Sequence, residues 1–203
     1  LVYGDLLICL VGARPTGKVM ALNKMTGKVV WRALAGDNAL GYVPPVLIET
    51  GGVEQLIQWH GEAVTSLNPK TGKVHWQQPF KLRMALSVST PQIDNDRLFL
   101  TAFYGGPMML QLAGDRPTAN VRWRGKSDSE RQTDGLHAIT CTPAIWKGHI
   151  YGVCSYGQFR CLNAATGKRI WETLKLTGEE SRWASAFLTR NGDRFFINND
   201  SGE

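Results

Sequence analysis

Ser66-Leu-Asn-Pro-Lys-Thr-Gly-Lys-Val-His-Trp76 is the stretch that decides the fold, because two further copies of it align without gaps. These copies are Ala21-Leu-Asn-Lys-Met-Thr-Gly-Lys-Val-Val-Trp31 and Cys161-Leu-Asn-Ala-Ala-Thr-Gly-Lys-Arg-Ile-Trp171, and a degenerate fourth copy ends at Trp123. The four tryptophans are separated by 45, 47 and 48 residues. A period of about 40 to 50 residues is typical of HEAT or armadillo helices and of WD40-like or kelch-like blades.

The segments between the tryptophans are short, apolar and rich in β-branched residues. In one complete unit they are residues 45–50, 53–59, 63–67 and 73–77, and Gly-rich turns separate them. Runs of this length and composition, bounded by turn residues, are typical of strands. Four antiparallel strands per unit predict a β-propeller blade and exclude a helical solenoid. We therefore expect an all-β chain built of four-stranded antiparallel blades.

Each copy of the motif predicts a tight hairpin between the third and fourth strands of a blade. The glycine, for example Gly72, adopts a positive φ without a Cβ clash, and Asn68 can accept hydrogen bonds from nearby backbone N–H groups. The tryptophan four residues later falls on the outer strand, where burial of its indole would lock neighbouring blades together. The residues predicted for this docking are Trp31, Trp76, Trp123, Trp171, Gly27, Gly72 and Gly167.

The repeat resembles the pyrroloquinoline-quinone-type, or quinoprotein-like, propeller repeat, whose signature is an Ala-x-Asp-x-x-Thr-Gly-x-x-x-Trp tryptophan-docking motif. Asn23, Asn68 and Asn163 stand where that family usually has Asp. The resemblance implies a ring of about eight blades, so we expect one propeller domain that is a fragment of a larger ring. The expected blades are residues 1–36 (partial), 43–80, 89–124, 139–174 and 183–203 (partial).

The composition excludes several other classes of protein. The chain has 203 residues, of which 43% are hydrophobic and 20% are charged, as in a globular protein. It contains no run of about 18 apolar residues that could span a membrane. Its net charge of +6 is spread along the chain, and the longest polar stretch, residues 124–134, is neutral. We therefore expect no nucleic-acid binding, and we interpret residues 124–134 as a mobile connection or a protein-contact loop.

No complete signature of a serine esterase, a zinc protease or an EF-hand is present. Gly12-Ala-Arg-Pro-Thr-Gly-Lys18 matches all but the last position of a P-loop, but Val19 stands where a Ser or Thr would hold Mg²⁺. If Lys147-Gly148 is a two-residue turn, Cys141 falls opposite Cys154. That register is compatible with two buried thiols or with a cross-strand disulfide. We expect no catalytic residue and no metal site in this chain.

Binding residues of a propeller are expected on one face, where the connections between blades meet the loops between second and third strands. The loops contribute aromatic residues that precede glycine, in Trp59-His60-Gly61, Tyr104-Gly105 and Tyr156-Gly157, although ordinary hairpin chemistry explains them equally well. The candidates in the connections are Tyr42, Arg83, His137 and Trp183.

The resemblance implies two functions, between which fold alone does not decide. The first is a non-catalytic scaffold that binds protein or ligand without a cofactor, similar to the propeller lipoprotein that assists outer-membrane β-barrel assembly. The second is a dehydrogenase that oxidises alcohols or sugars with pyrroloquinoline quinone and Ca²⁺. Dehydrogenases of the methanol-oxidising type carry two adjacent cysteines, and no two cysteines are adjacent here, which favours the scaffold. The resemblance also implies protein partners and an extracytoplasmic setting, periplasmic or secreted, in bacteria, and it leaves the oligomeric state open.

Overall fold

A computed structural model describes residues 1–12, 15–36 and 40–203 of the chain. These residues form eighteen strands and one turn of 3-10 helix, Arg83–Ala85. The strands are arranged in four four-stranded sheets and one two-stranded sheet, and neighbouring strands are antiparallel. The prediction of an all-β chain with four-stranded antiparallel sheets is confirmed. Within the described ranges, no helix has the length and apolar character needed to cross a membrane.

Each sheet is a meander of strands that follow one another in the sequence. The first sheet contains β1 (Val2–Tyr3), β2 (Leu6–Leu10), β3 (Thr16–Asn23) and β4 (Val29–Ala35), and the second contains β5 (Val46–Thr50), β6 (Val53–Trp59), β7 (Ala63–Leu67) and β8 (Val74–Pro79). The third contains β9 (Gln92–Asp94), β10 (Arg97–Ala102), β11 (Gly106–Leu112) and β12 (Ala119–Arg124), and the fourth contains β13 (Ala144–Trp146), β14 (His149–Val153), β15 (Phe159–Asn163) and β16 (Arg169–Thr173). The two-stranded sheet contains β17 (Ala186–Asn191) and β18 (Arg194–Asn199).

The repeated Asn-x-x-Thr-Gly-Lys segment closes the hairpin between the third and fourth strands. In the second sheet, Asn68 Oδ1 accepts hydrogen bonds from the backbone N–H groups of Lys70, at 2.9 Å, and Thr71, at 3.1 Å. Gly72 follows with a φ of 71°, which a side chain would make costly. The same arrangement recurs at the motif copies around Asn23 and Asn163. The predicted turn chemistry is therefore confirmed.

The turn at Lys147-Gly148 also has the predicted register. Trp146 pairs with His149 across it, and both turn residues have a positive φ, of 47° and 77°. Two left-handed residues are what a type I′ two-residue hairpin loop requires, and the twist of such a loop matches that of the flanking strands.

The residues cluster into two compact units, each with its own core. The first unit comprises Leu1–Ser87 and Leu112–Asn120. Its core packs the first sheet against the second through Ile8, Val19, Ala21, Trp31, Ala33, Leu56 and Leu67. The second unit comprises Val88–Gln111 and Val121–Glu203, and its main core contains Phe99, Met109, Leu136, Ala138, Ile150, Cys154, Leu162 and Ala164.

Candidate functional site

Two loops and two connections of the second unit meet at the carboxylate of Glu130. The hydroxyl groups of Tyr104 and Tyr156 donate hydrogen bonds to it at 2.8 and 2.7 Å, and Arg182 Nη2 lies 2.7 Å from Oε2. Hydrogen bonds from Tyr156 and Tyr104, with the Arg182 guanidinium, lower the pKa of the Glu130 carboxyl, so it is ionised at neutral pH. Because Ser155 Oγ also donates to the Glu130 carbonyl, the polar stretch 124–134 is fastened here to the loop that follows β14.

Trp183 forms the exposed edge of this site. Its indole stacks on the ring of Phe103, with centroids 4.7 Å apart and an interplanar angle of 13°, and the Arg182 guanidinium carbon lies 4.7 Å from its centroid. The indole nevertheless remains 41% exposed. Trp183 has a φ of 73°, a conformation that costs a residue other than glycine about 1–3 kcal/mol. Hydrogen bonds of its backbone with Ser155 and Ser185 hold it there.

His137 lies beneath this surface. Its imidazole is fully buried, with Nδ1 3.2 Å from the Phe103 carbonyl and Nε2 3.3 Å from Asp134 Oδ1. His137 was a candidate for the binding face, but burial prevents it from presenting a group to a partner. The structure instead places it as a support for the connection that carries Glu130.

Tyr42 and Arg83 belong to the first unit. Tyr42 is 70% exposed, and its backbone N–H donates to the Ser87 carbonyl at 2.9 Å, which joins the two connections of this unit. Arg83 is exposed in the 3-10 turn, next to Met84, whose φ is 56°. These two candidates are therefore accessible.

The described end of the P-loop-like stretch runs into a strand. Residues 13 and 14 lie outside the described residues, but Lys18 is part of β3, so a helix does not follow the loop. The Lys18 side chain is buried, 3.9 Å from Glu62. Burial, together with the Lys18 charge, lowers the pKa of the nearby His60 to about 4. A nucleotide phosphate needs a helix N-terminus at this point, and β3 offers none.

The four motif tryptophans all lie on the last strand of a sheet, but their surroundings differ. Trp31 lies against Gly72, where a Cβ would come within 2.5 Å of the indole, and Trp123 lies against Gly167, where the distance would be 2.6 Å. The Trp76 indole instead donates to Gln55 of its own sheet at 2.9 Å, and Trp171 is half-exposed. Gly27, the glycine of the first copy, has no neighbour among the described residues within 4 Å of its Cβ position.

The cysteines are free thiols. Cys141 and Cys154 are both buried but belong to different apolar clusters of the second unit. The Cys141 thiol accepts a hydrogen bond from the backbone of Ala186, and the Cys154 thiol accepts one from that of His137. Of the two possibilities that the register left open, the structure has the buried thiols.

A calcium-bound quinone would need carboxylate and amide oxygens that converge on one point. Among the described residues, no three His, Cys, Asp or Glu side chains come together as metal ligands. The Glu130 carboxylate already accepts hydrogen bonds from two hydroxyl groups and a guanidinium. The described residues therefore do not fit this cofactor.

The sequence indicated part of this site and missed the rest. Aromatic residues before glycine pointed to Tyr104 and Tyr156, and Trp183 was named from its connection. Glu130 was placed only in a neutral polar loop, and Arg182, 52 residues further along, was not singled out. No periodic or local signal links these two residues, because their contact exists only in the folded chain.

Comparison with known proteins places these observations in a family. The family model described as outer membrane protein assembly factor BamB matches residues 1–173. The crystal structure of BamB from Moraxella catarrhalis has a TM-score of 0.67 at 15% sequence identity, covering 100% of this chain and 60% of that chain. The computationally designed protein Ika8 has a TM-score of 0.60 at 12% identity, covering 100% of this chain and 55% of that one. The predicted β-propeller fold is confirmed.

A quinoprotein ethanol dehydrogenase from Pseudomonas putida is also similar. It is 35% identical over 75 residues, which are 31% of this chain and 12% of the dehydrogenase. The chain thus spans less than two thirds of both BamB and the dehydrogenase. These matches confirm that the repeat is of the pyrroloquinoline-quinone type.

Proposed function

The chain belongs to the family of the outer membrane protein assembly factor BamB, and from this premise we propose that it is part of a non-catalytic propeller that binds other proteins. Its partners are proteins that take part in outer-membrane protein assembly, and its setting is extracytoplasmic. It requires no cofactor for this role, and it does not bind nucleic acid. The name of the family supports the class of partner, and the surface around Trp183 supports the mode of binding.

The observation that carries the proposal is the presentation of Trp183. Tryptophan, tyrosine and arginine are the residues that most often dominate protein–protein binding energy, especially where they are held rigidly. Trp183 is held by its stack on Phe103 and by Arg182, which is itself fixed by Glu130. A side chain that is ordered before binding loses little entropy when a partner covers it.

The tryptophans of the motif have a separate, structural role in this proposal. Trp31 and Trp123 dock the sheet that carries them onto the turn of the next motif copy, at Gly72 and Gly167. Their indole N–H groups donate to the Pro69 carbonyl at 3.1 Å and to the Ala164 carbonyl at 2.9 Å. Such pairs would hold the sheets together as blades of one propeller domain, which we propose to be part of a larger ring.

Site-specific photo-crosslinking tests the binding role directly. A photoreactive phenylalanine analogue replaces Trp183 in the full-length gene product, expressed in its own host, and Val121 is replaced in a control, because it is also exposed but lies on β12. We expect a discrete crosslinked protein from position 183 and none from position 121. Equal crosslinking from both positions, or none from position 183 in folded protein, would contradict the proposal.

The dehydrogenase is the second candidate, because a third of the chain matches a quinoprotein ethanol dehydrogenase. A titration of the full-length gene product with pyrroloquinoline quinone, with and without Ca²⁺, separates the two functions through tryptophan fluorescence. Saturable, Ca²⁺-dependent quenching would show that the protein binds the quinone, which would overturn the cofactor-free scaffold and call for an assay of alcohol oxidation with an artificial electron acceptor. A flat titration of folded protein would exclude the dehydrogenase.

A further inference from the structure

A groove of about 200 Å³ in the second unit shares no residue with the surface around Trp183. Three cationic residues line it: Arg124 at the end of β12, Lys126 after it, and Lys168 in the turn before β16. The ring of Pro107 and the indole of Trp123 contribute its apolar surface. We refer to these five residues as the basic groove.

Two of the three cationic side chains of the basic groove, Lys126 and Lys168, have no ion-pair partner within the part of the chain that the structure describes. The lining includes one carboxylate, Asp134, whose Oδ2 accepts hydrogen bonds from the backbone N–H groups of Lys126 and Ser127. These hydrogen bonds, with that of His137, lower the pKa of Asp134 against the opposing effect of burial. Asp134 therefore closes its own loop as an ionised carboxylate, and Lys126 and Lys168 outnumber it, so the groove keeps an excess of positive charge.

The walls of the basic groove are formed by closely packed backbone. A Cβ at Gly125 would lie 2.8 Å from Pro107 Cδ, and one at Gly167 would lie 2.6 Å from Trp123 Cε3. Neither glycine therefore has room for a side chain, and its backbone packs directly against the ring that faces it. The groove is thus formed before any partner arrives, which reduces the entropic cost of binding.

The charge of this groove does not follow from the repeat itself. In the first unit, a groove of about 170 Å³ lies beside the motif copy at Asn68, but its lining contains both Glu54 and Lys70. Lys73, which occupies the motif position of Lys168, is absent from that lining. The groove of the first unit therefore does not share the basic character of the groove in the second unit.

We propose that the basic groove binds an acidic peptide segment of a protein partner, an inference that rests on the proposed function. Carboxylate side chains complement Lys126 and Lys168, and the apolar surface of Pro107 and Trp123 suits the methylene groups of a peptide. A phosphate fits less well, because phosphate sites use converging backbone N–H groups, and the two available here are taken by Asp134.

Fluorescence anisotropy of the full-length gene product with a fluorescein-labelled, glutamate-rich octapeptide tests this inference. We expect the Lys126→Gln/Lys168→Gln double variant to bind the peptide about fivefold to tenfold more weakly than the wild type. The matched control is Lys28→Gln/Lys73→Gln, because these exposed lysines occupy the motif position of Lys168 in the other copies and change the net charge equally. We expect this control to stay within about twofold of the wild type.

Three outcomes would overturn the inference. They are an equal loss in both double variants, the absence of peptide binding, and stronger competition by inorganic phosphate or phosphatidylglycerol vesicles than by unlabelled peptide. The outcome is separable from that of the proposed function. A crosslink from position 183 without peptide binding would contradict the role of the basic groove but support the proposed scaffold function. If neither the crosslink nor peptide binding is observed, the inference and the proposed function are both contradicted.

Discussion

Trp31 and Trp171 occupy the same position of the same motif, but the protein surrounds them differently. Trp31 is 8% exposed, because the turn at Gly72 lies on its indole. Trp171 is 40% exposed, beside an apolar groove of about 240 Å³ that Trp146, Tyr151 and Phe195 help to line. The motif therefore determines where its tryptophan stands on the outer strand. In this pair, the turn of the next motif copy buries Trp31, and no such turn covers Trp171 among the described residues.

Trp76 shows what happens when the second turn lacks the motif. The segment between β11 and β12 contains Asp115-Arg116-Pro117 and no Thr-Gly-Lys sequence. Trp76 is nevertheless 8% exposed, and its N–H donates to Gln55 Oε1, which also accepts from Ser66 Oγ. A buried polar partner in its own sheet thus replaces the carbonyl group that Trp31 finds in the next turn.

The largest effect should come from truncating the tryptophans themselves. We expect Trp31→Ala to lower the free energy of unfolding by about 3–5 kcal/mol, because it removes a buried indole and leaves a cavity. Trp171→Ala should cost about 2 kcal/mol or less, because solvent already reaches much of that side chain. Urea denaturation of both variants measures the difference. Equal losses of unfolding free energy would contradict the difference between the two tryptophans and show that residues outside the described part of the chain cover Trp171.

Replacement of the motif glycines should have a smaller effect on stability. This effect should be larger for a glycine that lies under a tryptophan than for one that does not. Gly27 and Gly72 have φ values of 70° and 71°, so alanine at either position is strained by about 1–2 kcal/mol. Only at Gly72 would the new Cβ also press on an indole, which adds about 1–3 kcal/mol. We therefore expect Gly72→Ala to unfold at lower urea concentration than Gly27→Ala. Coincident unfolding curves would mean that Trp31 moves aside without cost.

The sequence predicted the features that depend on residues close together in the chain. It did not predict the contacts between residues that are distant in the chain. The hairpins were predictable, because Asn68 and Gly72 act within a few residues of their own turn. The exposure of Trp171 was not, because it depends on what packs against the sheet edge. The same holds at the candidate site. A local pattern indicated Tyr104, whereas no local pattern indicated Glu130, because its partners lie 26 and 52 residues away.

The smallest effect should come from the turn asparagines, and it should be the same in covered and uncovered turns. Asn68 lies in the turn beneath Trp31. Asn23 lies in a turn whose glycine has no described residue within 4 Å of its Cβ position, and both asparagine side chains accept from two backbone N–H groups. Alanine at either position should cost about 1 kcal/mol, because only local hydrogen bonds are lost. Aspartate, which keeps the acceptor, should cost less than about 0.5 kcal/mol.

Thermal unfolding of the four variants would measure these differences. If Asn23→Ala and Asn68→Ala lose the same stability, the two turns contribute equally through their hydrogen bonds. The difference between the turns in stability would then come entirely from the packing of the indole. A loss at Asn68 several times that at Asn23 would contradict this separation, because Trp31 would then depend on the hydrogen bonds that shape the turn beneath it. In that case the motif would act as one cooperative unit with the tryptophan of the preceding sheet, and the local and tertiary contributions could not be assigned to different residues.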